Sequence, residues 1–477
     1  MRRFLFFLVP VCVLATNCKD DPLTTGPGTD PMSTASALPL VEVTTEMDIE
    51  NEPKVPGRMR IYQEGEEMFN SQIGIEYRGS TSFRLSDKKS FGFETWDDDN
   101  NDVDKAILGF PQEEDWILQG HVFRASEGII FDPTLLRHHV GYELYRMMGN
   151  YASRSQFVEL TVNGDFLGTY LLMEKLKRDK NRIDIARLEP TENEGEDLTG
   201  GYILKIDKTS GGDVAPDQPL AYYENNWADD ARYNADISFR SDYGVDGSTL
   251  NFEPFQEPYH PKQYLETYFL YTYPRADRIT PQQRQYIQNY VHAFETALLT
   301  DELRGTERTY TDYVDLHSFA DHFLLNELVG NVDAYRLSTY LVKDKGGKLQ
   351  MGPVWDLNIG YNGQDRIPVD DWMVNYNDYV PNDPWLVPFW WDRLLNDPVF
   401  VDILRARWTE LRATVWTTPK VEGLVRQRAN YLLDNGAIKR NYERWSGIEV
   451  DYEGELEAML AYLRDRLLWM DSAIERM

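Results

Sequence analysis

Side-chain alternation with a period of two dominates the first part of the chain, and a period near 3.6 dominates the last. This order constrains the fold most, because a period-two segment buries its apolar side only in a sheet and a 3.6-period segment only as a helix. The stretches LPLVEVTT (38–45), RMRIYQ (58–63), IGIEYRG (73–79) and KSFGFE (89–94) read as strands. DPTLLRHHVGYELYRMMG (132–149) reads as a helix, with Asp132 as cap, Pro133 in its first turn and Gly149 as its stop. QFVELTVNG (156–164) and FLGTYLLMEK (166–175) flank Asn163-Gly164, the signature of a tight hairpin, and GGYILKID (200–207) is a further strand.

From about residue 262 the pattern turns helical. Leu316, Phe319, Phe323, Leu324 and Leu328 fall on one helix face, and Phe400 to Leu411 and Leu456 to Met470 repeat the pattern. Strands first and helices later imply an α+β fold of two lobes, with a strand-rich N-terminal part and a helical C-terminal part.

Several chemistries are excluded by what is missing. There is no GxSxG, no HExxH and no GxxxxGK[ST], and the seven histidines are too scattered for a zinc site. WDDDNNDVDKAIL (96–108) mimics a calcium loop, but Asp102 stands where glycine is needed and Leu108 where glutamate is needed, so it reads as a solvated acidic turn. With 79 acids against 49 bases and a formal charge of −30, the chain repels nucleic acid and anionic lipid surfaces.

The N-terminus, MRRFLFFLVPVCVLATNC, has two arginines, an apolar run from Phe4 to Ala15, and Cys18. That is the layout of an export signal (1–17), too short for a membrane span. Cys18 resembles the lipidated cysteine of bacterial lipoproteins, although Asn17 stands where their motif has Gly, Ala or Ser. The following KDDP resembles the acidic tag that directs some of them to the cell surface. Residues 18–37, rich in Pro, Gly, Ser and Thr, read as a flexible tether to a domain spanning 38–477. These features predict a protein held at the outer membrane or cell surface by its lipid alone.

The most chemically suggestive stretch is NVDAYRLSTYLVKDKGGKLQMGPVWDLNIG (331–360). Asp333 and Asp356 stand at the two ends of a hairpin whose turn is Gly346-Gly347. Phosphoryl transfer needs one acid to orient the attacking hydroxyl and a second to hold the cation that neutralises phosphate charge.

Here the chain resembles the CotH kinase family, the spore-coat-type atypical protein kinases. The resemblance rests on RGSTS (78–82) followed by DKKSFGFE, on the Arg-bearing helix at 132–149, on VELTVNGDFLGTYLLMEK, GGYILKID, the acid pair and VWDLNIG, and on RWTELR and NYERW. It runs from about 38 to 477. It implies a two-lobed kinase-like fold, with an N-lobe of about 38–175 and a C-lobe of about 176–477. It also implies a surface-anchored protein kinase that transfers the γ-phosphate of ATP, with Mg²⁺ or Mn²⁺, to Ser or Thr hydroxyls of an unidentified extracytoplasmic protein.

Carried over by position, Asp333 matches the catalytic acid and Asp356 the metal-binding acid of the family's Trp-Asp-x-Asp. Lys88, with Lys89 as second choice, is the expected phosphate lysine. Glu174 and Lys175 fall where a hinge would offer its backbone to adenine, and Trp355 is placed to stack on the base. Arg78 and Arg137 are expected to bind phosphate or pair with acids. Two positions depart from the family. Ser338 stands where the family has a metal-ligating Asn, and Asn358 replaces the second acid of Trp-Asp-x-Asp. Both are neutral oxygen donors, and Asn331 is a further one. The loss of charge leaves open a catalytically inactive binding or structural module. The aromatic run 372–391 and the paired acids leave open a glycan-binding protein.

Overall fold

The computed structural model describes residues 38–209, 226–361 and 366–477. Cys18, the export signal and the tether lie outside the described residues. The architecture is α+β, with strands concentrated in the N-terminal part and helices in the C-terminal part. Among the described residues no helix is long and apolar enough to cross a membrane.

The first strands close into a barrel. They are β1 (Leu40–Thr45), β2 (Val55–Gln63), β3 (Glu66–Arg78), β4 (Ser90–Trp96) and β5 (Asp115–Gln119). After a short ribbon, β6 (Phe123–Arg124) with β7 (Ile129–Ile130), come β8 (Ser155–Val162) and β9 (Asp165–Glu174). The barrel order is β1-β2-β3-β4-β5-β9-β8, and β8 returns parallel to β1, with Leu40 opposite Glu159. Alternate residues fill its interior: Val41 and Val43, Ile73 and Ile75, Phe91 and Phe93, Trp116 and Leu118, Leu160, Tyr170 and Leu172. Asn163 (φ 50°) and Gly164 (φ 83°) make the β8–β9 turn that their sequence demands.

On one side the barrel is buried outside as well. Ile117, Phe157, Leu171 and Met173 point away from its interior into the helical core. The helix that meets them, α2 (Arg137–Met147), follows a short α1 (Thr81–Leu85). The expected helix over 132–149 is therefore shorter. Leu135 has φ 63°, which breaks the helical path before α2, and the Asp132 carboxylate instead accepts the Arg137 N–H at 2.9 Å.

A second sheet, in the order β11-β12-β10-β13-β14, joins barrel to helices. Its strands are β10 (Tyr202–Ile206), β11 (Ser238–Arg240), β12 (Tyr268–Tyr273), β13 (Thr339–Lys343) and β14 (Leu349–Met351). β12 corrects the expectation that the chain is helical from residue 262. YFLYTY is an aromatic run that pairs with strands distant in sequence, and the first long C-terminal helix, α3 (Pro281–Thr300), begins only at Pro281.

The helical part centres on α4 (Leu316–Val329). It is not one-faced as its apolar spacing suggests, because Asp321, His322, Asn326 and Glu327 are buried too. After it come α5 (Tyr376–Tyr379), α6 (Trp390–Leu395), α7 (Pro398–Ala413), α8 (Thr418–Asp434) and α10 (Tyr452–Arg476); α7 and α10 pack on α4, and α8 packs on α10 and α2. α9 (Ala437–Arg444) packs instead on barrel strand β9, where Asn441 accepts the Thr169 N–H at 3.2 Å.

Candidate active site

One cleft, of about 490 Å³, opens between the end of the barrel, α2 and the second sheet. Local chain geometry places its acids. α4 stops at Gly330, whose φ of 65° favours glycine and where an added Cβ would lie 2.1 Å from the Tyr462 hydroxyl. The chain then turns through Asn331 to Ser338 into β13. Buried Asn331 accepts the Asp333 N–H at 3.2 Å and donates to Asn326, so it shapes this loop and does not line the cleft. The Asp333 carboxylate lines the cleft and is held by Arg336, which also reaches Asp383 at 3.3 Å and lies 3.9 Å over the Tyr376 ring.

β10 and β13 run antiparallel, with Ile206 opposite Thr339. That register sets Asp207 beside Ser338, whose hydroxyl donates to it at 3.5 Å. Asp207 also lies 3.4 Å from the Lys205 ammonium and accepts the Lys208 N–H at 2.8 Å. Beyond β14 the chain brings Asp356 to the same cavity with φ 55°. Tyr335 (φ 72°) and Ser338 (φ 48°) are in the same left-handed region. Each such residue costs about 1–3 kcal/mol, and strain of this kind concentrates where geometry serves a site.

Asp356 is the electrostatic centre of the cleft. Loss of bulk water raises its pKa to about 7, and the carboxylates of Asp333 and Asp207 push in the same direction, opposed by Arg78 and Lys208. Its side chain keeps 45 % of its accessible surface, open to the cavity. Arg78 donates to Gln119 at 3.1 Å and lies 5.8 Å from the Trp355 ring; burial lowers its pKa, and no ion pair holds it in the described residues. Trp355 has Tyr142 stacked on it at 6.0 Å and Arg78 nearby, so its ring is already flanked. His138, on α2, also lines the cleft, and burial pushes its pKa down to about 3.

The structure therefore brings together Asp333, Asp356, Arg78, Ser338, Trp355 and Asn358. It does not bring Lys88 or Lys89 there. Lys88 lies in the bend before β4, on a side of the barrel that α9 covers. Its buried ammonium donates to the Thr169 carbonyl at 2.5 Å and to Asn441 at 2.7 Å, and burial lowers its pKa to about 7. Lys89 donates to the Phe83 carbonyl at 2.7 Å.

Glu174 and Lys175, expected at a hinge, do not line the cleft. The Glu174 N–H donates to the Arg154 carbonyl, its C=O accepts from Ser153, and the Lys175 C=O accepts from Arg182. The Glu174 carboxylate is bound by Arg154, and the Lys175 ammonium pairs with Asp115 at 2.9 Å. Arg137 is structural, buried against Asp132 and donating to the Asn358 carbonyl at 2.9 Å.

Sequence reasoning missed Asp207, Lys205, Lys208, Arg336 and His138. Asp207 carried one available signal, a carboxylate at the very end of an apolar strand. Another acidic group, Asp104, Glu113 and Glu114, lies outside the cleft, with Lys177 bound to Glu113 and Glu114.

The sequence model of the CotH kinase family, described as CotH kinase protein, matches residues 75–470. The chain belongs to the CotH kinase family. No curated protein matches it. A kinase family uses ATP and a divalent metal in general, and in this CotH chain the matched segment contains every cleft residue except Asn51 and Glu52.

Proposed function

We propose that the cleft binds ATP with Mg²⁺ or Mn²⁺ and transfers the γ-phosphate to a Ser or Thr hydroxyl of an extracytoplasmic protein. The observation that carries this reading is the convergence of Asp207, Asp333 and Asp356 beside Arg78 in a single cavity. The donors are all oxygens, and burial, with the neighbouring carboxylates adding to it, raises Asp356. Both properties fit a hard divalent cation. Asp356 and Asp207 would hold it, with Ser338 and Asn358 as neutral donors. Such a cation supplies neutralisation of phosphate charge when bound.

The chain's own groups do the rest. Asp333, held by Arg336 and lining the cavity, accepts the hydroxyl proton. Arg78, Lys205 and Lys208 offer positive charge to the phosphates. In this reading the barrel and the helical part are the two lobes of a kinase-like fold, and an acyl chain on Cys18 anchors the protein at the outer membrane or cell surface.

The neutral residues at 338 and 358 favour one second reading, a catalytically inactive relative that serves as a binding module. Asp207 argues against it, because it supplies a third carboxylate to the cleft. The test is thermal unfolding with ATP, with metal, and with both. A ligand that binds only the folded state raises the midpoint. The reading expects the largest rise with both together. No rise under any of these conditions removes it.

A further inference from the structure

His138 carries an unspent hydrogen-bond donor inside the cleft. The residue is 4 % exposed. Its Nδ1 accepts the Leu357 N–H at 3.2 Å, and the Tyr142 hydroxyl lies 3.4 Å from the same nitrogen. A nitrogen that accepts an N–H carries no proton, so the neutral ring bears its hydrogen on Nε2. That Nε2–H has no hydrogen-bond partner and stands 3.9 Å from Asp356 Oδ1.

An orphaned buried donor costs about 1–3 kcal/mol, and 3.9 Å is beyond hydrogen-bonding distance. The ring itself is not free to turn away. It stacks on Tyr142 at 5.8 Å, and Tyr142 stacks in turn on Trp355. The movable partner is the Asp356 carboxylate, which keeps 45 % of its surface open to the cavity.

We infer that His138 is a positioning residue for Asp356: its Nε2–H takes one carboxylate oxygen and leaves the other aimed at a divalent cation. This rests on the metal-binding reading of the cleft. Carboxylates that ligate metals are themselves hydrogen-bonded, and losing such a partner costs roughly 10–100-fold in metal affinity. The Nδ1 anchor to Leu357 serves the same end, because it fixes the residue next to Asp356 in a stretch where Asp356 has φ 55°.

Two variants separate donor from anchor. H138N keeps an acceptor near Nδ1 and removes the Nε2–H. H138Q keeps a donor near Nε2 and removes the anchor. Mn²⁺ alone is titrated into the full chain and read by quenching of tryptophan fluorescence, with free Mn²⁺ counted by electron paramagnetic resonance. H138N should weaken Mn²⁺ by about tenfold or more, and H138Q should stay within about threefold of wild type. In a D356N background H138N should change nothing further.

Wild-type affinity in H138N overturns the inference, as does a loss confined to H138Q, which would make the residue a backbone anchor only. If H138N does not fold, H138Q decides: affinity within threefold sustains the inference and a tenfold loss overturns it. A wild-type chain that binds no Mn²⁺, or binds it as well with Asp356 removed, defeats the metal reading itself and the inference with it.

Discussion

Replacing Arg466 with methionine should be among the most damaging single substitutions outside the cleft. Arg466 on α10 and Glu327 on α4 are both 0 % exposed and pair at 2.9 Å. The guanidinium also donates to the carbonyls of Glu327, Val369 and Asp371 at 2.5–2.7 Å. The carboxylate accepts the Tyr335 hydroxyl at 2.8 Å and the N–H groups of Met373 and Val374 at 2.7 and 2.9 Å. Methionine fills much of the volume but leaves Glu327 without its cation.

Removing one partner of a buried pair costs about 3–5 kcal/mol, whereas removing both often costs little. R466M should therefore lose about 3–5 kcal/mol in urea unfolding at pH 7, and R466M combined with E327Q should recover at least half of it. Burial already raises the Glu327 pKa, and Arg466 opposes that rise. Without Arg466 the folded pKa climbs further above its unfolded value. An acid raised in this way gives stability that is greatest below the unfolded pKa and falls as pH rises toward the folded one. The deficit of R466M should thus grow from pH 5 to pH 8. A loss below about 1 kcal/mol that is constant with pH would refute the reasoning.

Other substitutions test separate parts of the structure. Glu295, buried against Ser241 and Trp390, has its pKa raised by burial to about 8, so its contribution to stability falls between about pH 4.5 and pH 8. E295Q should flatten that decline by up to about 4 kcal/mol, read as the change in urea midpoint between pH 5 and pH 8 in each protein. K88M should cost about 1–3 kcal/mol of stability by removing the buried ammonium's hydrogen bonds to Asn441 and to the Thr169 carbonyl, yet leave the midpoint shift with Mg²⁺ and ATP unchanged. R78M should do the reverse, and equal loss of that shift in both variants would restore Lys88 to the phosphate site.

The local elements were legible in the sequence because their signals are local. β3, β4, β8 and β9 follow period-two alternation, and Asn163-Gly164 fixes its turn through φ values that Asn and Gly tolerate. Asp333 and Asp356 were legible as a pair because one hairpin joins them. What depends on pairing across the chain was not. Barrel closure requires β1 to lie beside β8, more than 100 residues later, and no short-range pattern encodes that register.

Lys88 shows the same limit. Period-two reading set it on the face opposite Phe91 and Phe93, but it lies in the bend before β4, and the docking of α9 buries it there. Asp207 joined the cleft because β10 lies against β13, and α4 hid its polar residues because helices surround it. The Glu174–Lys175 backbone was assigned to adenine by position in the chain, and the hydrogen bonds that occupy it come from Ser153, Arg154 and Arg182, which the strand pattern does not mark.

The central claim is that Asp333 moves a proton while Asp356 holds a cation, and γ-phosphate transfer tests it most directly. Radiolabelled ATP with Mn²⁺ or Mg²⁺ is incubated with the purified protein and a Ser-rich protein mixture, alongside D333N and D356N at matched concentration. The expected result is label in the wild type, a loss of about 10²–10⁴-fold in D333N with metal–ATP binding retained, and loss of both transfer and binding in D356N. Transfer at the wild-type rate in D333N, or a wild type that binds metal–ATP and transfers nothing, would contradict it.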